Sequence, residues 1–348
     1  MPVARNGQSA YYFGRQHHMI ISRTPFRVSF FGGGTDYPGW YREHGGAVLA
    51  TTIDKYCYIS VRELPPFFAH KFRLVYSIVE NVRDVSEIAH PSARAVLGWL
   101  GADKGLEIHH DGDLPARSGL GSSSAFTVGL LGAIHALRGK HMSKDALATE
   151  AIHVEQCLLR EPVGVQDQIS ASFGGFNHIQ FGQDGSWDVR PMVLPKERMQ
   201  ELQNHLLLVF TGMSRTSADV AETIVANLAD RASEMKTLQE MVGRAIAILS
   251  SSIDVVEFGR LLHESWLVKR TLSSRVSNSA IDSLYQAALA AGAVGGKVLG
   301  AGGGGFLLLF VRPSDRARVQ QALGQLISVP FKFETSGCRI VLYQPDGL

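Results

Sequence analysis

Hydrophobic and polar positions alternate from Met19 to Phe31 and predict a strand, with Phe26, Val28 and Phe30 on one side and Arg27, Ser29 and Phe31 on the other. Two more strands are expected at Ala47–Ile53 and Tyr56–Arg62, whereas residues 64–90 carry no regular pattern. Arg94–Leu100 has helical spacing, and Leu106–His109 reads as a short strand. An apolar run from Ala125 to Leu137 predicts a buried helix. A second helix starts at Ser143 and reaches about Leu159, with Leu147, Ala148, Ala151, Ile152, Leu158 and Leu159 on its apolar face. Pro162 and Gly164 break it, and a short helix begins at Asp167. His178–Phe181 is strand-like and leads into a turn at Gly182–Gly185.

Beyond about residue 200 the pattern changes. Leu206–Phe210 is a continuous apolar strand, and Thr216 with Asp219 resembles a capping box. A long helix or helix pair follows, with Val220, Ile224, Leu228, Met235, Leu238, Val242, Ile246 and Leu249 as core positions. Val255–Leu272 and Asn278–Ala291 are further helices, Phe306–Val311 is a strand, and a helix at about Ser314–Leu326 and a strand at Cys338–Tyr343 finish the chain. This region reads as a separate α+β domain, 201–348, after a domain at 19–200 and a loose extension at 1–18.

Composition narrows the classes. A chain of 348 residues favours two domains, and 45% hydrophobic with 19% charged residues suffices for a full core. A net charge of +2, with no basic run interleaved with aromatics, argues against a nucleic-acid partner. The three cysteines, Cys57, Cys157 and Cys338, give neither a disulfide framework nor a zinc pattern and fit a reducing cytoplasm. No apolar stretch is long enough to span a bilayer, and the polar residues 1–18 do not make a signal peptide.

The chemistry concentrates in Pro115-Ala116-Arg117-Ser118-Gly119-Leu120-Gly121-Ser122-Ser123-Ser124-Ala125. Gly119 and Gly121 permit a tight turn and close backbone approach, and the helix that follows presents its positive end. The stretch is either a polyphosphate cradle or a serine-capped helix start. Gly32-Gly33-Gly34-Thr35-Asp36 is a close-approach loop carrying a carboxylate, or a structural turn. Glu155 falls on the apolar face of its helix, where a carboxylate needs an arginine partner or a bound cation. Asp167 is open to reading as an ordinary first-turn acid. His109-His110-Asp111-Gly112-Asp113 reads as a polar turn and not as a metal site. Gly300, Gly302 and Gly305 spell a dinucleotide fingerprint, but the run precedes a strand where the fingerprint follows one. Neither a P-loop nor a nucleophile elbow is present. These parts together suit phosphoryl transfer.

In order, Arg23-Thr24-Pro25-Phe26-Arg27 with Gly34-Thr35-Asp36, then Pro115 through Gly119-Leu120-Gly121-Ser122-Ser123, then Gly300-Ala301-Gly302-Gly303-Gly304 resemble the three motifs of the GHMP kinases. The resemblance implies a two-domain α+β fold: an N-terminal α/β domain with a left-handed crossover and a C-terminal ferredoxin-like domain, with the site in the cleft between them. It implies ATP as cofactor, bound by Pro115, Gly119, Leu120, Gly121, Ser122, Ser123 and Ser124, and Mg²⁺ held by Ser123 and Glu155. Asp167 then resembles the catalytic aspartate and Arg27 its companion, with Gly34, Thr35, Asp36, Gly303 and Gly304 beside the substrate.

Gly33 and Gly34 stand where galactokinases carry Glu and His, which implies a wider pocket there. Phe30 through Pro38, Ser273-Ser274 with Ser277-Asn278, and Gly295-Gly296-Lys297 look most like the D-glycero-D-manno-heptose 7-phosphate kinases. That likeness implies phosphorylation of an anomeric C1 hydroxyl on the route to nucleotide-activated heptose for surface polysaccharide. The 7-phosphate would need a cationic anchor, for which Arg215, Lys269, Arg270 and Arg275 are candidates. Two alternatives stay open: a kinase for an unphosphorylated sugar, and a sugar-binding regulator without transfer. Expected partners are a small sugar phosphate and ATP, without nucleic acid or membrane, and a homodimer is left open.

Overall fold

The computed structural model describes residues 19–213 and 217–344. The chain begins with β1 (Met19–Phe31), α1 (Pro38–His44), β2 (Gly46–Glu63), β3 (Phe72–Val75) and β4 (Val79–Val82). Next come α2 (Pro91–Trp99), β5 (Leu106–Gly112), α3 (Ser122–Leu137), α4 (Lys144–Ile152), α5 (Gln166–Phe173), β6 (Phe176–Phe181) and β7 (Trp187–Pro191). Helix α6 (Lys196–His205) leads to β8 (Leu206–Phe210), α7 (Ser217–Ala226), α8 (Ala232–Leu249), α9 (Val256–Thr271), α10 (Ser279–Ala290) and β9 (Ala293–Val298). The chain then runs through β10 (Phe306–Val311), α11 (Arg316–Ala322), β11 (Ile327–Val329), β12 (Phe333–Glu334) and β13 (Arg339–Gln344).

The first sheet has the order β13-β1-β2-β5-β3-β4, with β6 and β12 also on β2 and β7 on β6. Helix α3 lies on β1 and β2, buried along most of its length, which is why its sequence is apolar all round. The second sheet has the order β11-β8-β10-β9, wholly antiparallel. In chain order that is the 4-1-3-2 arrangement of the ferredoxin-like motif. The two sheets share one core. Phe258 of α9 packs edge-on against Phe30 (5.4 Å between centroids) and Phe31 (5.0 Å), and reaches Phe310 of the second sheet. Among the described residues no helix is long and apolar enough to cross a membrane.

Several expectations change. The two strands at 47–53 and 56–62 are one long strand, β2, whose pairing with β1 skips Asp54 and Lys55 in a bulge. Lys332 fills the gap, donating its N–H to Asp54 Oδ1 at 2.8 Å. Residues 64–90 hold a hairpin, β3–β4, too short to show a period. Strand β9 is hidden because glycine replaces its alternating side chains: a Cβ on Gly295 would stand 2.1 Å from Gly259 O of α9. The last two strands return to the first sheet, so a division at 200/201 does not follow the sheets. Helix α4 widens into a π turn over His153–Leu158. The extra residue in the turn leaves Glu155 fully buried and rotates Leu158, expected on the apolar face, out to 41% exposure. Thr216, of the expected capping box, lies outside the described residues.

Candidate active site

The N-terminus of α3 is the centre of the site. Gly121 caps it in the left-handed region (φ 75°) and brings no side chain to the free N–H groups. Ser122 Oγ turns back to accept from Arg117 N (3.1 Å) and so does not cap the helix. An uncapped first turn with small residues is an anion site. Beside it Arg27 reaches across from β1. Its Nε and Nη2 donate to Asp167 Oδ1 and Oδ2, both at 2.7 Å, and its Nη1 donates to Gly119 O at 2.6 Å. The backbone N–H of Arg27 also donates to Leu120 O (3.0 Å). One buried guanidinium thus fixes the glycine turn and the carboxylate together, with the planar fork matching both oxygens. A Cβ on Gly121 would stand 3.2 Å from Arg27 Cγ and 3.4 Å from Asp167 Oδ2, so turn and carboxylate are in contact.

Asp36 ties a second loop to the same place. Its Oδ1 accepts from Gly34 N (2.9 Å), its Oδ2 from Gln166 N (3.4 Å), and its carbonyl from Val165 N (3.1 Å). Burial, and then the charge of Asp167, raise its pKa above the usual carboxylate range. Gly164 is required here, since its Cβ would sit 1.8 Å from Asp36 Oδ2. Thr35 is turned inward: its hydroxyl lies 2.8 Å from Gly32 O and 2.9 Å from Ala47 O, and accepts from Ala47 N (3.1 Å).

Glu155 has no arginine partner among the described residues. Its Oε2 accepts from Ser124 Oγ (2.8 Å) and Gln168 Nε2 (2.5 Å), while Oε1 is buried without a partner. Burial pushes its pKa up to about 7. Ser124, not Ser123, is therefore the serine in contact with Glu155, and Ser123 lies exposed on the same turn. Among the described residues no three His, Cys, Asp or Glu side chains gather as a metal cluster. One orphaned carboxylate oxygen beside hydroxyls instead fits a hard cation that takes its remaining ligands from phosphates and water.

The second glycine run faces the protein. A Cβ on Gly300 would stand 2.6 Å from Gly119 Cα, and one on Gly305 2.2 Å from Ser118 O. Gly303 N donates to Val276 O (2.8 Å), Gly304 packs on Met213, and Phe306 N donates to Ser118 O (3.1 Å). Gly303 and Gly304, expected beside substrate, are buried in this packing. Lys269 is buried, with its ammonium donating to Val298 O (3.1 Å) and Gly300 O (2.5 Å). Arg270 pairs with Asp282 at 2.7 Å. Arg215 lies outside the described residues. Pro115 is exposed on the approach to the turn, and Leu120 is fully buried beneath it.

Sequence reasoning missed Ser124 and Gln168 as partners of Glu155, and Lys297 as a buried cation. Lys297 donates from β9 to Phe30 O at 2.8 Å. The available signal was a lone charge inside the apolar strand Ala293–Val298.

Comparison with known proteins agrees with this geometry. The family description "GHMP kinases N terminal domain" matches residues 74–175, and "GHMP kinases C terminal" matches residues 245–328. A D-glycero-alpha-D-manno-heptose 7-phosphate kinase of Campylobacter jejuni is 29% identical over 316 residues, covering 87% of this chain and 93% of its own. A mevalonate kinase of Pyrococcus horikoshii is 30% identical over 249 residues, covering 68% of this chain and 69% of its own. The crystal structure of a D-glycero-D-manno-heptose 1-phosphate kinase of Bacteroides thetaiotaomicron superposes with a TM-score of 0.75 at 24% identity, over 92% of this chain and 97% of that one. With both domain descriptions matched and its fold shared, this chain belongs to the GHMP kinase family.

Proposed function

We propose that this protein is an ATP-dependent sugar kinase that phosphorylates the anomeric C1 hydroxyl of D-glycero-D-manno-heptose 7-phosphate to give the 1,7-bisphosphate. The observation that carries the reading is the Arg27–Asp167 fork held against Gly121. It sets a carboxylate in contact with a phosphate cradle, as transfer to a hydroxyl requires. The Campylobacter jejuni relative supplies the substrate class.

In this reading the N–H groups at the start of α3 and the turn Gly119–Gly121 hold the nucleotide phosphates. Arg27 keeps Asp167 in one orientation. Each Asp167 oxygen retains a lone pair beyond its bond to Arg27, and one of these accepts the sugar hydroxyl, aims its oxygen at the γ-phosphorus and takes the proton as the new P–O bond forms and the bond from the γ-phosphorus to the β–γ bridging oxygen breaks, with ADP leaving on that oxygen. Ser123 and Glu155 would hold Mg²⁺, which when bound neutralises charge on the transferring phosphoryl group. The burial of α3 and the packed second glycine run keep this turn rigid and exclude water behind it.

A second reading, a kinase for an unphosphorylated sugar, is supported by Lys269, whose ammonium is already donated to two backbone carbonyls. ADP release with the heptose and its 7-phosphate separates the two. The first reading expects kcat/KM to be at least tenfold higher with the phosphorylated sugar, the range of one charge-assisted hydrogen bond. Equal efficiency would favour the second.

A further inference from the structure

The two glycines expected to widen the pocket differ. Beside Gly34 the space is taken by Met235 of α8, whose Cε and Sδ would lie 3.3 and 3.6 Å from an added Cβ. Beside Gly33 the space is open: within 4 Å of a Cβ there stand only Ser29 Oγ at 3.6 Å and Gln166 Nε2 at 3.9 Å. Ser29 is 6% exposed and Gln166 9%. Ser29 Oγ and Gln166 Oε1 are buried without a hydrogen-bond partner. Buried polar groups in folded proteins are rarely left unmatched, and two of them bordering one open space are matched there by water or by a ligand's polar groups.

We propose that Ser29 and Gln166 read neutral hydroxyl groups of the sugar, and that Gly33 keeps the space between them open. The inference rests on the kinase reading above. A hydroxyl and a carboxamide each both donate and accept, which matches C–OH groups and not a charged group. The neighbouring Asp36 carboxyl, tied to Gln166 N at 3.4 Å, disfavours an anion there. The sugar phosphate's charged end is therefore directed elsewhere, and Ser29 and Gln166 face hydroxyl-bearing carbons near the accepting one. Gln166 is well placed for this, since it precedes Asp167 at the first turn of α5.

The test compares wild type with Ser29→Ala, Gln166→Met and Gly33→Ala. The Gly33 backbone is not in the left-handed region and its added methyl would make ordinary contacts, so that variant should unfold at the wild-type urea midpoint. Steady-state kinetics are run with the sugar phosphate and with its single-deoxy analogues. Ser29→Ala and Gln166→Met should each raise KM for the sugar by up to about tenfold through loss of a hydrogen bond to a neutral group, and Gly33→Ala should raise it by filling the space between them, with KM for ATP moved less than twofold in all three. Gln166→Met should also lose discrimination against at least one deoxy analogue. Wild-type discrimination retained in both Ser29→Ala and Gln166→Met would overturn the proposal and leave the kinase reading intact. If wild type turns over no sugar at all, the kinase reading falls. Calorimetry of sugar binding to wild type and Gln166→Met then decides the pocket: equal affinities, or no binding to either, overturn it.

Discussion

The turn Ser118–Gly121 and the run Gly300–Gly305 are both glycine-rich, and they touch backbone to backbone. In the first, glycine opens a helix whose leading N–H groups stay free, and Arg27 and Asp167 stand against it. In the second, glycine precedes a strand, and the N–H groups of Gly303, Gly305 and Phe306 donate to Val276, Met213 and Ser118. The difference lies in where the donors go. A helix start leaves its first N–H groups without partners in the helix, whereas these three N–H groups are taken up by carbonyls of neighbouring loops. One run leaves a helix start open to a ligand, and the other packs against the first run from behind.

The comparison predicts that chemistry fails in the first region without loss of fold. Asp167→Asn removes the accepting charge but keeps the side chain's shape beside Gly121. Its kcat should fall by about 10²–10⁴, the usual contribution of a positioned base, with ATP affinity retained. Rapid-quench turnover together with nucleotide titration measures both. A defect confined to KM would move Asp167 from the chemical step to substrate binding.

The same substitution in each loop sharpens the contrast. Gly305 has φ 84° and would place a Cβ 2.2 Å from the backbone oxygen of Ser118. Gly305→Ala should cost on the order of 3 kcal/mol in urea unfolding, combining left-handed strain with a backbone clash that no rotamer relieves. Gly121, at φ 75°, meets only side-chain atoms, Arg27 Cγ at 3.2 Å and Asp167 Oδ2 at 3.4 Å. Gly121→Ala should cost about 1–2 kcal/mol of strain while displacing the fork, so turnover falls further than stability does. Equal stability losses in the two variants would erase the distinction between the loops.

Some of this was legible in the sequence and some was not, for physical reasons. Strand β1 announces itself by its alternation, helix α3 by an unbroken apolar run too long for a strand, and the next helix by the Ser143 cap, whose Oγ accepts from Ala146 N at 3.1 Å. Glu155 was legible as a charge on an apolar face. Its partner was not, because Ser123 and Ser124 differ only in which side of one helical turn they occupy. Gly303 and Gly304, placed beside substrate by resemblance, pack on Val276 and Met213, a long-range contact that no local pattern encodes. Strand β9 and Lys297 stayed hidden because glycine removes the alternation that marks a strand, and a single lysine carries no period. The return of β13 to the first sheet is a long-range pairing that no local pattern encodes.

Lys297 gives the last test of the supporting region. It reaches from β9, just before the second glycine run, to the carbonyl of Phe30, just before the Gly32–Gly34 loop. Burial, and then the nearby charge of Arg27, bring its pKa down to about 7. Burial, and then the charge of Lys297, hold the neighbouring Lys269 well below the ordinary lysine value as well. In the unfolded chain a lysine titrates near its ordinary value, well above 7. Between the two pKa values the unfolded state holds the extra proton, so this residue makes stability rise with pH. Below about pH 7 both states are protonated and the destabilisation is complete. The slope is at most about 1.4 kcal/mol per pH unit. Lys297→Met removes it while keeping most of the side-chain volume. Urea unfolding of both proteins at several pH values from 6.5 to 9 reads Lys297 together with its effect on Lys269, because groups that do not feel Lys297 titrate alike in both. The stability difference, variant minus wild type, should shrink steadily as pH rises above 7. Parallel curves would mean that Lys297 keeps its charge in the folded protein, and that the carbonyl of Phe30 is held by an ammonium and not by a neutral amine.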